Sequence, residues 1–271
     1  MSQTKTVGIR DWMSIKSAEF EVRPLTVFYG ANGSGKTAVS LALWASTMCQ
    51  DGFSLKRALA YKLGDARYVL RCVGLCKTEV RVAGEGVVAF EGDDEELRVN
   101  CYKDWPWRRA AYLGEERIYL FRRALRGQDS AWKRLAEFGV FSHSSITFEI
   151  GDVKASATVQ PLRFYVEKNG REIKAEVAPS SDLEFLLLYK ALESAQGGLI
   201  VIDNVDMHLS GLKLAKYIET IARAVDRATF VLTTSNADVP TILAKLVEDK
   251  KLPVDKVALH HLKYENRETK V

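Results

Sequence analysis

Residues 30–37 read Gly-Ala-Asn-Gly-Ser-Gly-Lys-Thr, which fits the phosphate-loop pattern G-x-x-x-x-G-K-[ST]. The glycines let the backbone curl until successive N–H groups point at phosphate oxygens. The Lys36 side chain would place a positive charge at the β- and γ-phosphates of a nucleotide, and the Thr37 hydroxyl would bind Mg²⁺. The predicted cofactor-binding residues of this loop are Gly30, Asn32, Gly33, Ser34, Gly35, Lys36 and Thr37.

The flanking sequence supports a phosphate site over a chance Gly-rich turn. Leu25-Thr-Val-Phe-Tyr29 is a short apolar run that is typical of a buried strand, and Thr37–Cys49 has the apolar spacing of a helix. The N-terminus of such a helix adds its positive dipole to an anion site. Strand, glycine-rich loop and helix therefore follow in the order that the motif requires.

A second motif lies far downstream. Leu199-Ile-Val-Ile-Asp203 is a continuous apolar run ending in a carboxylate, the pattern of a central parallel strand. Ligands of open α/β sheets bind at the carboxyl ends of the strands. We therefore predict that Asp203 and Thr37 together hold Mg²⁺, with Asp203 acting through water.

The remaining hydrophobic patterns predict an α/β fold: a parallel sheet core flanked by helices, with an added antiparallel β lobe. Predicted strands are Thr6–Trp12, Ala18–Arg23, short runs within Tyr68–Tyr102 and Ile146–Glu176, Thr229–Thr233 and Val257–Leu262. Predicted helices are Leu183–Ala195, Leu212–Arg227 and Val239–Asp249, while Phe53–Leu63 either extends the first helix or forms a second one. Asn169-Gly170 predicts a hairpin turn.

Composition limits the class of protein. The chain has 271 residues, 47% of them hydrophobic, enough for one large or two-lobed domain. No apolar run approaches the roughly 20 residues that span a bilayer, and the N-terminus lacks an apolar signal core, so we expect a cytoplasmic protein without a membrane partner. Four cysteines lack zinc-finger spacing. We interpret Cys72 and Cys76 as small buried hydrophobes, a disulfide being expected only in a hyperthermophile protein.

The net charge of +4 is mild, but arginines and aromatic residues cluster between Trp105 and Arg134. One interpretation is a nucleic-acid face, with arginines on phosphates and aromatic rings stacked on bases. The other is an amphipathic helix with its rings in the core and its arginines in water. The second is favoured because acidic residues dilute the charge. These are Glu115, Glu116, Asp129 and Glu137.

Five segments carry a resemblance to a known family. They are Ile9–Lys16 with Phe20–Val22, Tyr29–Thr37, Ala178–Leu188, Ile202–Leu209 and Val231–Asn236. In that order they resemble the opening strands, phosphate loop, signature motif, Walker B run and switch strand of ABC-type ATPase heads of the SMC, RecF and OLD kind, and of their small stand-alone relatives. Ala111–Arg117 is similar to a strand and loop of the stand-alone relatives.

The resemblance implies a fold, cofactors and a partner. It implies one head over residues 1–271, with lobe I at about 1–176 and lobe II at about 177–271. ATP and Mg²⁺ would bind on the phosphate loop of one protomer, and the signature motif of a second would close over the γ-phosphate. ATP would thus drive homodimerisation, or heterodimerisation with a protein partner. The implied γ-phosphate contacts are Ser180, Ser181 and Thr234.

Four positions depart from the family pattern. Asn204 stands where the catalytic Glu follows the Walker B Asp, Asp182 stands where the signature has Gly, Thr234 replaces the switch His, and Met13 replaces a phosphate-contacting Arg. An amide cannot take a proton from the attacking water. We therefore predict slow or absent hydrolysis at Asn204, with Asp206 in the same loop as a substitute base. Of two possible Q-loop residues, Gln50 lies too close to Lys36, which leaves only Gln160.

Three other functions stay open from the sequence. The chain could be an active DNA-repair or phage-defence ATPase that works with DNA or a separate nuclease, which leaves nucleic-acid binding open. It could be an accessory protein of an archaeal cytoskeletal filament. A P-loop kinase or GTPase is disfavoured, because the chain has no Asn-Lys-x-Asp guanine motif and Asp203 lies too late in the sequence.

Overall fold

The structure is a computed structural model. It describes residues 4–71, 76–92, 96–102, 105–140, 146–150, 153–157, 165–168, 171–174, 177–266 and 268–271. The strands are β1 Lys5–Trp12, β2 Ile15–Val22, β3 Leu25–Tyr29, β4 Cys76–Val82, β5 Gly86–Gly92, β6 Leu97–Tyr102, β7 Ala110–Leu113, β8 Ile146–Ile150, β9 Val153–Ala157, β10 Tyr165–Lys168, β11 Arg171–Lys174, β12 Leu199–Ile202, β13 Thr229–Thr234, β14 Val257–His261, β15 Lys263–Glu265 and β16 Glu268–Lys270. The helices are α1 Lys36–Thr47, α2 Gly52–Leu63, α3 Arg117–Leu125, α4 Asp129–Glu137, α5 Ser180–Ser194, α6 Gly211–Arg223 and α7 Asp238–Glu248.

A five-stranded parallel sheet with the order β14-β3-β13-β12-β7 forms the centre of the fold. All four residues of β12 and all four of β7 are buried, as expected for strands covered on both faces. The register aligns Ile202 with Leu113 and Thr234 with Tyr29. The carboxyl ends of four neighbouring strands therefore meet at one edge of the sheet, next to the phosphate loop.

Two antiparallel sheets accompany this core. One has the order β2-β1-β4-β5-β6 and the other the order β11-β10-β9-β8. In the first sheet, Trp12 packs edge-on against Phe90 with ring centroids 5.0 Å apart. The predicted α/β class with an added antiparallel β region is confirmed. The Asn169-Gly170 turn and Gln160 lie outside the described residues, and the division into two lobes stays a prediction.

The basic-aromatic segment forms strand β7 and the helix pair α3 and α4. Of its aromatic rings, Trp105, Trp107, Tyr112 and Phe121 are buried, whereas Tyr119 on α3 is 58% exposed. Rings that are buried in the core cannot stack on the bases of a nucleic acid. The structure therefore favours the amphipathic interpretation of this segment.

The cysteines behave differently from the prediction. Cys49 and Cys101 form a disulfide across 52 residues of sequence. Cys76 is buried as expected, but it is also disulfide-bonded, whereas Cys72 lies outside the described residues. The Cys49–Cys101 bond joins the end of α1 to strand β6, a pairing that spacing along the sequence does not reveal.

The end of the described chain holds an element that the sequence analysis did not predict. After β14, the strands β15 and β16 pair as a two-stranded antiparallel hairpin. In the described part of the chain, no helix combines the length and the apolar composition that crossing a bilayer requires.

Candidate functional site

The phosphate loop runs from the end of β3 into α1, as predicted. A Cβ atom added to Gly30 would collide with the carbonyl oxygen of Leu262, so no larger residue fits there. Gly35 has φ +93°, a left-handed conformation that glycine adopts without strain. Asn32 and Gly33 are exposed at the tip. The Ser34 hydroxyl is buried and has no hydrogen-bond partner among the described residues, which leaves it for a ligand.

Lys36 folds back over the loop. Its Nζ donates to the carbonyl oxygens of Gly30 and Ala31, each at 2.8 Å. Burial lowers the pKa of Lys36, and the carboxylates of Asp203, Asp206 and Glu115 oppose that shift. Among the described residues, the buried Lys36 ammonium donates its hydrogen bonds to neutral carbonyls, so an entering phosphate would improve its environment.

Asp203 is fully buried at the end of β12 and accepts three hydroxyl hydrogen bonds. Thr37 Oγ1 donates to it at 2.9 Å, Tyr112 OH at 2.9 Å and Thr233 Oγ1 at 2.6 Å. The structure thus brings together the two predicted Mg²⁺ ligands, Thr37 and Asp203. Tyr112 and Thr233 were not predicted. Burial, followed by the Asp203 charge, raises the pKa of Tyr112 well above its usual value, so its hydroxyl stays neutral and donates.

The chemistry of these donors fits Mg²⁺. Among the described residues, no group of three or more His, Cys, Asp or Glu side chains could hold a metal ion alone. Mg²⁺ is usually held by one or two protein oxygens, with water and nucleotide phosphates completing the octahedron. A hydroxyl and a carboxylate in direct contact beside a phosphate loop match that requirement.

The loop after β12 holds the two predicted catalytic residues. Asn204 has φ +49°, in the left-handed region that Asn tolerates, and its side-chain amide donates to the Glu115 carboxylate. Thr234 Oγ1 donates to the Asp206 carboxylate at 2.5 Å. The structure therefore links Asn204 with Glu115 and Asp206 with Thr234. Glu115, just after the neighbouring strand β7, was not predicted as part of the site.

The signature-like residues begin helix α5. Ser180 accepts a hydrogen bond from Arg122 at 3.3 Å, and Ser181 accepts one from Lys213 at 2.5 Å. No described contact joins either serine to the phosphate loop. Asp182, expected to repel a γ-phosphate, is buried and forms an ion pair with Lys213 at 2.8 Å. This ion pair offsets the negative charge that a carboxylate brings to the motif.

Arg117 connects the Asp203 strand to helix α5. The Arg117 side chain is 1% exposed, and its Nε donates to both carboxylate oxygens of Glu184, at 2.9 and 2.8 Å. Its Nη1 donates to the carbonyl oxygens of Gly114 and Asp203, and its Nη2 donates to that of Asn204. The sequence showed an arginine after Gly-Glu-Glu but not its partners.

Two further positions named in the sequence analysis make no described contact with the phosphate loop. Met13 has φ +46° and its N–H donates to the carbonyl oxygen of Val69, while its side chain packs against the core. Met13 therefore provides no phosphate contact. Gln50 is exposed between α1 and α2, which agrees with its exclusion as a Q-loop residue.

Several solved structures share this architecture. An SMC head bound to the C-terminal winged-helix domain of ScpA matches with a TM-score of 0.63, at 11% identity over 99% of this chain and 97% of that one. The chain has the fold of an SMC-type ABC ATPase head. An SMC head bound to the C-terminal domain of ScpA derived from Pyrococcus furiosus matches this head with a TM-score of 0.60, at 10% identity over 100% and 96% of the two chains. The SMC head of Thermotoga maritima matches with a TM-score of 0.54, at 14% identity over 99% and 97%.

Comparison of the amino-acid sequence alone finds no relative of this chain. No protein-family model and no curated protein matches the chain. The likeness at 10–14% identity therefore defines the fold, while the roles of individual residues depend on the geometry above.

Proposed function

We propose that this chain is a Mg·ATP-binding head that dimerises when ATP is bound and hydrolyses ATP slowly or not at all. The observation that carries the proposal is the 2.9 Å hydrogen bond between the Thr37 hydroxyl and the buried Asp203 carboxylate, beside the buried Lys36. These groups come from two distant segments of sequence. Their meeting at the phosphate loop is what a Mg·nucleotide site requires.

The residues of the loop would hold the phosphates. Backbone N–H groups of residues 33–37 and the first turn of α1 would donate to them. Lys36 Nζ would exchange its two carbonyl acceptors for charged phosphate oxygens, which accept stronger hydrogen bonds. Bound Mg²⁺ would neutralise phosphate charge, held by Thr37 and Asp203.

Helix α5 supports the proposed dimer. Ser180 and Ser181 stand at its first turn, make no described contact with the phosphate loop of their own chain, and so would serve the site of a second protomer. The positive end of a helix dipole favours an anion such as the γ-phosphate. A γ-phosphate held by one protomer and contacted by the other would stabilise the dimer relative to the separate protomers when ATP is bound. A homodimer would need only a second copy of this chain. SMC heads have been solved bound to ScpA, so the alternative is a dimer with a different protein.

The loop after β12 supports the proposed slow hydrolysis. The Asn204 amide cannot act as a base and donates to Glu115. The Asp206 carboxylate already accepts a hydrogen bond from Thr234. The Asn204 side chain therefore cannot take a proton from an attacking water, and Asp206, whose carboxylate keeps further lone pairs, is left as the substitute base. The burial of Trp105, Trp107, Tyr112 and Phe121 leaves Tyr119 as the exposed ring on α3, which gives little support to the DNA-linked alternative.

Light scattering on the purified chain tests the switch, with Mg²⁺ alone, with Mg·ATP and with Mg·ADP, while phosphate release is followed in the same samples. We expect a dimer with ATP alone and little phosphate. The Lys36→Ala variant should bind ATP at least about tenfold more weakly, since hydrogen bonds to charged groups contribute about 1.5–3 kcal/mol.

Lys77→Ala is the matched control, because Lys77 is exposed on β4 and its ion pairs among the described residues are with the surface carboxylates of Glu79 and Glu91. It should behave like the wild type. Failure of the wild type to bind ATP would refute the proposal. ATP binding by a chain that stays monomeric would refute self-association and redirect the search to a partner that completes the site.

A further inference from the structure

The hairpin β15–β16 lies directly on the phosphate loop. Thr269, in β16, is 1% exposed, and a Cβ atom added to Gly35 would collide with its Oγ1. Two hydrogen bonds hold Thr269 to the turn between β1 and β2. Its N–H donates to the Ser14 carbonyl oxygen at 3.0 Å, and the two hydroxyls are 2.8 Å apart. The hairpin is therefore fixed against the residue that precedes Lys36.

An exposed aromatic residue shares this position. Tyr264 in β15 is the direct partner of Thr269 in the hairpin register. Side chains of directly opposed residues in an antiparallel pair lie on the same face, with Cβ atoms about 4.5–5.5 Å apart. Thr269 contacts the loop, so Tyr264 lies beside the loop on the same face. Yet Tyr264 is 53% exposed, and its ring has room for a ligand.

Strand order decides which end of a bound nucleotide would reach this hairpin. Thr37, Asp203 and Thr234 place the metal and the γ-phosphate toward β12 and β13, on one side of β3. The sugar and base must then extend toward the other side of β3, where β14 lies. The hairpin follows β14 directly. The nearby Tyr29 ring is already stacked on His261, with centroids 4.6 Å apart.

We propose that Tyr264 stacks on the base of the bound nucleotide, so that the C-terminal hairpin supplies the base-binding wall of the site. This inference rests on the proposed nucleotide-binding function. Base–aromatic stacking needs only an exposed ring face at the position where the base emerges, and it is sequence-tolerant. The hairpin supplies that ring, whereas residues 30–37 of the loop include no aromatic side chain.

Calorimetric titration with Mg·ATP and with Mg·tripolyphosphate tests this assignment, because tripolyphosphate retains the phosphates and lacks the base. Tyr264→Ala should weaken ATP binding about tenfold or more and leave tripolyphosphate binding unchanged. Tyr264→Phe should retain wild-type affinity for both. Tyr119→Ala is the control, since Tyr119 is similarly exposed but lies on α3.

The outcomes separate the two levels of the argument. Equal ATP binding by wild type and Tyr264→Ala, or equal weakening of both ligands, would overturn the stacking role and leave the phosphate site intact. A wild-type chain that binds neither ligand would overturn the nucleotide site itself. Loss of ATP binding in Tyr264→Phe would also count against stacking, because that variant keeps the ring.

Discussion

Replacement of Arg117 by methionine is expected to lower the free energy of unfolding by about 3–5 kcal/mol. The substitution leaves the fully buried Glu184 carboxylate without its cation and removes the donor from the carbonyl oxygens of Gly114, Asp203 and Asn204. Burial alone would lower the pKa of Arg117, but the Glu184 charge reverses the shift and raises it. Arg117 therefore stays charged in this buried position because of the neighbouring Glu184 carboxylate.

Urea unfolding of a small series of variants isolates the buried charge. The double variant Arg117→Met with Glu184→Leu should recover a large part of the loss, because it removes both charges. Arg123→Met, on the same helix but at its surface, should change stability by no more than about 0.5 kcal/mol. If the double variant were no more stable than Arg117→Met alone, the unpaired carboxylate would not be the cause of the destabilisation.

The candidate phosphate loop was predictable because its chemistry is local in sequence. The loop needs glycines, a lysine and a threonine at fixed spacing, and the motif itself contains them. Asp203 was predictable for a related reason, since ligands of open α/β sheets bind where the strands end and an apolar strand that ends in a carboxylate offers a metal ligand there. Thr37 and Asp203 are 166 residues apart, yet the two motifs were enough to predict that they meet.

What the sequence did not reveal is the set of contacts made between distant segments. Arg117 and Glu184 are 67 residues apart, and Glu115 and Asn204 are 89 apart. Each of these four residues taken alone is typical of the surface of a helix or loop. They become buried or paired because β7 packs against β12 and α5. The Cys49–Cys101 disulfide was missed for the same reason.

The C-terminal hairpin shows a different limit. Its two strands, Lys263–Glu265 and Glu268–Lys270, have three mostly polar residues each. Such short segments show no alternation of apolar and polar residues from which a strand could be predicted. Their strand form depends on pairing with each other and on the contact of Thr269 with Ser14 and Gly35. Elements that are held by tertiary contacts of this kind carry little local signal.

Asn204→Glu is expected to raise the ATPase rate by about 100-fold or more, since a positioned general base contributes about 10²–10⁴-fold. The substitution places a carboxylate immediately after Asp203, where the resemblance to ABC-type heads implies the base. Asn204 has φ +49°, so a glutamate there also adds about 1 kcal/mol of backbone strain. We therefore expect the variant to have a lower melting temperature. The rate is measured as phosphate release with Mg·ATP in excess.

Asn204→Gln separates the base from the strain, because glutamine has the length and backbone cost of glutamate but no proton acceptor of comparable basicity. A rate gain in Asn204→Glu that Asn204→Gln does not share would identify the missing carboxylate as the cause of the proposed slow turnover. Glu115 contacts the Asn204 side chain, so the introduced carboxylate would sit beside a second one, which raises the pKa of one member of the pair. A base acts only when deprotonated, and the gain should therefore grow as pH rises. Equal rates in both variants at every pH would show that Asn204 is not what limits hydrolysis.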